Sequence, residues 1–420
     1  MKNQSTHESG PSAATSSTGV APSDLVIVGA GIVGLAHAAH AVANGLTVTI
    51  LERDHRAVGA SVRNFGHCCI TAQSGELYLL AQLSRKYWLE FSRRAGFWAV
   101  ESGAVVLARS AAELAVLQEL SAAREDGQVV LLTAEDTRGR LNNGIHDGGT
   151  TSAGSPTSGS SGTSGSAAPP AWPGLLGGAF LRDDLRVDPR TTAAKLAAWL
   201  AEQPGVEIHW NTAALGFGQD PAGNATVSTG RGEFHGRQVL VCVGHDVDYL
   251  FPELAAEHRI ERCALQMSLA ARPAGMDLAP AVLTATSMLR YPAFAEMPAA
   301  AALRAEVEQT RPELLDIGAN VMFTQRPDGS LILGDSHHYH RTAAPFLDEP
   351  VTAALNAEIA ATIGTDLEII QRWQGVYASS DVGPVLEREI QPGVTVISVT
   401  SGVGMTLSFG LAHRTISRLF

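Results

Sequence analysis

The residues best suited to chemistry in this 420-residue chain stand near its start. Gly29-Ala30-Gly31-Ile32-Val33-Gly34 spells G-x-G-x-x-G, and Glu52 follows Gly34 by 18 positions. Between a strand and a helix, that pattern binds a dinucleotide. Gly29 permits the tight turn, Gly31 lets the backbone approach a pyrophosphate, and Gly34 lets helix and strand pack closely. Ile32 and Val33 complete the turn before the helix, whose N-terminus faces the phosphate charge. Glu52 suits hydrogen bonds to ribose hydroxyls and disfavours NADP. NAD and FAD both satisfy this much.

Three further features favour FAD. The stretch from Arg53 to Gly66 is a long turn of small residues, with Ser61, Asn64 and Phe65 where a flavin ring needs close backbone access. A second apolar run, Val239–Val243, ends at Gly244 and can return to the cofactor. Near the C-terminus Gly402-Val403-Gly404-Met405-Thr406 opens another helix after an apolar strand.

The elements that must hold these residues read clearly at the start. Leu25–Val28 is a buried strand by composition, Leu35–Asn44 a helix that Gly45 ends, and Thr47–Leu51 the next strand. This is one βαβ unit. Helices are predicted over Gly75–Ala95, Ala111–Arg124, Thr191–Glu202 and Glu349–Ile363, and from Met405. Strands are predicted at Val105–Leu107, Val206–Trp210, Ala225–Thr229, Glu233–His235, Gln238–Val243 and Val394–Val399. Residues 260–334 read as a mixed sheet: Arg262–Ala271, Ala281–Leu289, Ala319–Gln325 and Ser330–Leu333.

Composition narrows the partners and the compartment. Thirty Lys and Arg against 42 Asp and Glu leave a charge of −12 without a basic run, which argues against nucleic acid and anionic membrane. The most apolar stretch, Leu25–Ala43, carries His37, His40 and three glycines, so no membrane span is expected. Cys68, Cys69, Cys242 and Cys263 show no metal spacing and read as reduced thiols of a cytoplasmic protein. Residues 1–23 read as a disordered tail. Residues 144–178 hold ten of the chain's 42 glycines and read as a flexible insertion.

The same residues carry a family resemblance. The chain resembles the D-amino-acid oxidase superfamily of FAD-dependent amine oxidoreductases, alongside glycine oxidase and monomeric sarcosine oxidase. Within it, Gly59–Gly66, Leu289-Arg290-Tyr291-Pro292, Gly329–His337 and Trp373-Gln374-Gly375-Val376-Tyr377 are similar to a bacterial subgroup associated with aminophosphonate breakdown. The resemblance implies an α/β fold of mixed α+β character: a Rossmann-like FAD-binding domain with a mixed-sheet domain capping the flavin. The FAD-binding parts would be 24–95, 179–250 and 376–420, and the substrate-domain parts 96–143 and 251–375. Some relatives attach FAD through a cysteine near 373–377. With no cysteine after Cys263, non-covalent FAD is expected here.

What the resemblance implies chemically is oxidation of an amine to an imine, with oxygen or another acceptor taking the electrons. Backbone N–H groups at Gly402–Thr406 suit the negative charge that builds on the flavin. His67 and His337 are the candidate catalytic groups; His338 and His340 near Asp335 lack a recognisable metal spacing, and no metal is expected. A substrate with an acidic group needs arginine, and Arg290 with Tyr291, at a strand end, is the first candidate pair. Arg63 and Arg326 come next. Two alternatives stay open: a flavin-binding protein without amine oxidation, and an NAD-dependent dehydrogenase. Oligomeric state is not legible.

Overall fold

The computed structural model of the protein describes residues 22–142 and 170–420. The tail up to residue 21 and the insertion from 143 to 169 lie outside the described residues. Two large sheets organise the rest. The first has eight strands. Its parallel centre runs Val206–His209, Val48–Leu51, Ser23–Val28, the second half of Gly232–Val241, and Val394–Val399. The inner strands are largely apolar and buried, both faces being covered, whereas the edge strand Val206–His209 carries Glu207 and His209. On one face lie the helices Ile32–Ala43, Gly75–Ala95 and Gly404–Leu419, which share a core with Leu25, Ile27 and Ile397.

The second sheet has nine strands and is mostly antiparallel. Glu261–Ala270 lies between Leu331–Asp335 and the long strand Ile369–Ser379, and also pairs with His338–His340. Leu331–Asp335 continues to Asn320–Gln325, then Ala281–Leu283, then Ala104–Ala108. A three-stranded sheet joins His67–Cys68, Leu185–Val187 and Ala99–Val100.

Three local expectations need correction. Residues 281–289 are not one strand: Ala281–Leu283 is a strand and Ala285–Arg290 a helix. Thr284 and Ser287 form a capping box, and the Thr284 hydroxyl also donates to the Val321 carbonyl. Arg290 and Tyr291 therefore stand at a helix end, not a strand end. Second, 170–178 is built into the fold rather than into the insertion. Trp172 is buried and stacks on Phe323, and Gly177–Leu181 is a strand of the nine-stranded sheet. That strand also lies in a sheet other than the one expected for 179–250. Third, Ser23 already belongs to the first strand, one residue inside the expected tail.

Candidate functional site

A cavity of about 480 Å³ lies where the two sheets meet. Its wall includes Gly29, Gly31, Ile32 and Val33 from the glycine turn, and Glu52 and Arg53 from the end of the second strand. Ser61, Arg63, Asn64 and Phe65 follow, then Gly244, then Gly402, Val403, Gly404 and Met405. Four chain segments far apart in sequence thus converge on one space.

Local geometry explains why these residue types are there. Gly29 has φ +106°, and a Cβ on it would stand 2.5 Å from the Cys242 carbonyl oxygen. A Cβ on Gly34 would stand 2.0 Å from the Gly29 oxygen, so the helix could not close onto the turn. Glu52 accepts the Ala30 N–H at 2.8 Å and the Asp54 N–H at 3.0 Å, which fixes its carboxylate under the turn. The Ser61 hydroxyl accepts the Ile32 N–H at 2.8 Å, at the first turn of the helix. Asn64 accepts the Gly66 N–H and donates to the Ala60 and Ser61 carbonyls, bracing the long turn. Gly402 has φ +77° and lies against Tyr377, where a Cβ would be 2.9 Å from the ring.

The fit to a dinucleotide follows from these observations. A Cβ on Gly31 would stand 3.2 Å from Ser61 Oγ, so glycine keeps this turn free of a side chain. The first turn of its helix carries no acidic residue, so a pyrophosphate there meets the helix N-terminus without like charge. The buried Glu52 carboxylate stands at the ribose position of that arrangement.

The rest of the cavity belongs to the second sheet. Arg290, Tyr291, Asn320, Asp335, His337 and Tyr377 line it. Arg290 Nη2 donates to the Tyr377 oxygen at 2.7 Å. Burial holds the Tyr291 and Tyr377 phenols well above the ordinary tyrosine value, so both keep their protons. Burial likewise pushes Asp335 up to about 7, against the pull of Arg290 and Asn320. His337 is held well below the ordinary histidine value by burial and by Arg290. A second cavity of about 430 Å³ adjoins this one and shares Arg290, Tyr291, Tyr377, Ser401 and Val403 with it. Arg290 thus stands between an outer space and the inner one.

Several sequence candidates are not at the cavity. His67 is buried in the small sheet, and its Nε2 is 2.8 Å from the Asp184 carboxylate. Its strand pairs with Leu185–Val187, and its ring is bonded to Asp184 rather than lining the cavity. Cys69 offers its thiol near that pair. Gly66 has φ +67° and packs on the Val187 carbonyl, and the buried Thr406 hydroxyl accepts the Cys69 N–H. Gly34 serves packing, as its spacing implies. Arg63 reaches the cavity, but its Nη1 donates to the Gln374 carbonyl. Arg326 is tied to Asp188 and Asp328. Sequence reasoning missed Asp335, Asn320 and Tyr377 as site residues. Only the subgroup-like strings Gly329–His337 and Trp373–Tyr377 contained a signal for two of them.

Comparison with known proteins bears on this arrangement. The chain matches the FAD dependent oxidoreductase family, DAO, over residues 24–418. It belongs to that family and is an FAD-dependent oxidoreductase. The NAD-dependent and non-oxidative alternatives give way to this finding. Among solved structures it is similar to glycine oxidase from Geobacillus kaustophilus, at 18% identity and TM-score 0.69, covering 95% of this chain and 94% of that one. L-proline dehydrogenase from P. horikoshii aligns at 16% identity and TM-score 0.71, covering 94% of each chain. L-amino acid deaminase from Proteus vulgaris aligns at 18% identity and TM-score 0.68, covering 95% and 93%. At such identities the likeness is one of fold. No curated protein matches the chain. Among the described residues, no helix is long and apolar enough to cross a membrane.

Proposed function

We propose that the protein oxidises a small amine bearing an acidic group, an aminophosphonate or an amino acid, to an imine that water then hydrolyses. The observation that carries this reading is Arg290: a cation between two adjoining cavities, within the wall that also holds the glycine turn. Tyr377 meets Arg290 through its oxygen, which leaves the phenol hydrogen free to donate. Tyr291 adds a protonated phenol in the same wall. Tyr339 lines the outer cavity with them and acts on the Arg290 charge. A guanidinium ringed by phenols offers several donors to a multi-oxygen acid, which favours phosphonate alongside carboxylate. The neutral His337 presents a ring acceptor nearby.

FAD, when bound, supplies the two-electron acceptor of the reaction. Gly29, Gly31, Ile32, Glu52 and Ser61 would hold its dinucleotide half. The Gly402–Met405 backbone would face the ring, at a helix N-terminus suited to developing negative charge. Burial pushes the Cys242 and Cys263 thiols up, to about 12 and about 11, so neither offers the thiolate an attachment needs, which supports non-covalent FAD. Oxygen or another acceptor would take the electrons on, and a reduced cytoplasm suits the free thiols.

The test is an anaerobic screen of the purified yellow protein. Aminophosphonates, glycine, sarcosine and D-amino acids are added, and loss of the visible flavin absorbance is followed. The reading expects bleaching with an amine that carries an acidic group. A flavin that stays oxidised with all of them, or bleaches equally with plain alkylamines, refutes it.

A further inference from the structure

The carboxyl of Asp335 has an unusual setting. It ends the strand Leu331–Asp335, opposite Asn320 on the neighbouring strand, and is 3% exposed. It lines the cavity, yet its Oδ1 has no hydrogen-bond partner. Buried carboxylate oxygens are normally satisfied, so this orphan marks a carboxyl still short of a donor. The neighbouring His337 tells the same story. Its Nδ1 is 2.9 Å from the Gly318 carbonyl, which only accepts, so Nδ1 carries the proton. In the neutral ring Nε2 is then an acceptor. It points at Asp335 Oδ2 from 3.8 Å, too far for a direct bond. Two acceptors thus face one another across a gap.

We propose that Asp335 and His337 form a seat for the ammonium group of the substrate, and that Asp335 takes a proton from it. The inference rests on the reading of the pocket as an amino-acid or aminophosphonate site. An ammonium brings N–H donors for Asp335 Oδ2 and His337 Nε2, the two acceptors that face one another. In the transfer, one N–H bond breaks and a proton passes to an Asp335 oxygen. The bonding pair stays on nitrogen as the lone pair that a C=N bond requires. Arg290, on the other side, pairs with the acidic group, so the wall presents opposite charges to a zwitterion. The titratable groups facing Asp335 are Arg290, which favours its charge, His337, which stays neutral, and Tyr291 and Cys263, both protonated. With its value near 7, Asp335 can hold or release a proton at neutral pH.

Calorimetry of the FAD-loaded protein in buffers of different ionisation heat tests this without turnover. The probe is α-aminoisobutyrate, whose nitrogen-bearing carbon has no hydrogen to lose. Its phosphonate analogue is run in parallel, and isobutyrate is the amine-free control. Below its pKa Asp335 is protonated and must shed that proton to receive an ammonium. Binding is expected to release about one proton at about pH 6 and almost none at about pH 8. Isobutyrate is expected to do the reverse, with proton uptake near pH 8. Asp335→Asn should bind the zwitterion at least about tenfold more weakly, with no proton release and normal FAD content. Zwitterion binding without proton release at the lower pH, or equal release from Asp335→Asn, overturns the seat and leaves the Arg290 site standing. If neither acid binds the wild-type protein, the acidic-group reading itself fails, and the seat with it.

Discussion

Removing the charge of Arg290 is the perturbation with the most to say about this enzyme. Arg290→Gln keeps a long polar side chain at the end of the helix Ala285–Arg290 but takes away the guanidinium. A desolvated charge pair that loses one partner weakens by about 2–5 kcal/mol. That corresponds to roughly 30- to 5,000-fold in KM, at about 1.4 kcal/mol per tenfold. Two structural consequences sharpen the expectation. Tyr377 loses a 2.7 Å donor, so part of the loss is the disordering of a second ligand. Asp335 loses the cation that opposes its burial, so its value rises above about 7. The rising limb of the pH–rate profile should therefore move to higher pH in the variant. Arg290→Lys restores the charge without the planar fork and should recover the pH profile more than the KM. Steady-state kinetics with an acidic amine and with the same amine lacking its acid check this directly. The effect should vanish for the amine without the acid, and FAD content should stay normal. A KM for the acidic substrate within about threefold of wild type would refute the assignment of the anion site.

Other consequences follow from the same geometry. Gly34→Ala places a methyl 2.0 Å from the Gly29 carbonyl, and overpacking of this kind costs about 1–3 kcal/mol or more. The melting temperature should fall by several degrees and FAD should be released on gel filtration; an intact yellow protein would refute the packing argument. Glu52→Gln keeps an acceptor for one backbone N–H but loses the charge at the ribose position, so FAD affinity should drop about tenfold or more by fluorescence titration. His37 and His40 lie buried against the closing helix, and burial lowers them to about 4 and about 3 from 6.5. Their depressed values mean that stability is complete above about pH 6.5 and is lost as the pH falls toward 4. Chemical denaturation midpoints should decline over that window, and less steeply in His40→Phe.

How much of this was legible before folding depends on the range of the interactions. The dinucleotide half could be read because its signal is local. Gly29, Gly31, Gly34 and Glu52 lie within one βαβ unit, and Gly34 answers to a contact inside that unit, with the Gly29 carbonyl. The substrate half resisted because its residues acquire meaning only through pairing. Asp335 becomes an orphaned carboxylate only when its strand sits beside Asn320 and near His337. Tyr377 meets Arg290 only because Ile369–Ser379 adds to Glu261–Ala270 over a register of ten residue pairs. That long strand is half exposed and mixed in polarity, so period alone did not announce it. His67 failed for the complementary reason. It is close in sequence to the glycine turn, but pairing with Leu185–Val187 sends its ring to Asp184. Proximity in sequence placed one histidine wrongly, while a strand ending far along the chain brought His337 and Asp335 to the cavity. The two sheets divide the work accordingly: the parallel one offers backbone to a cofactor of fixed shape. The antiparallel one offers side chains, so differences in substrate among proteins of this fold should reside in residues such as Arg290, Asp335 and Tyr377 rather than in the glycine turn.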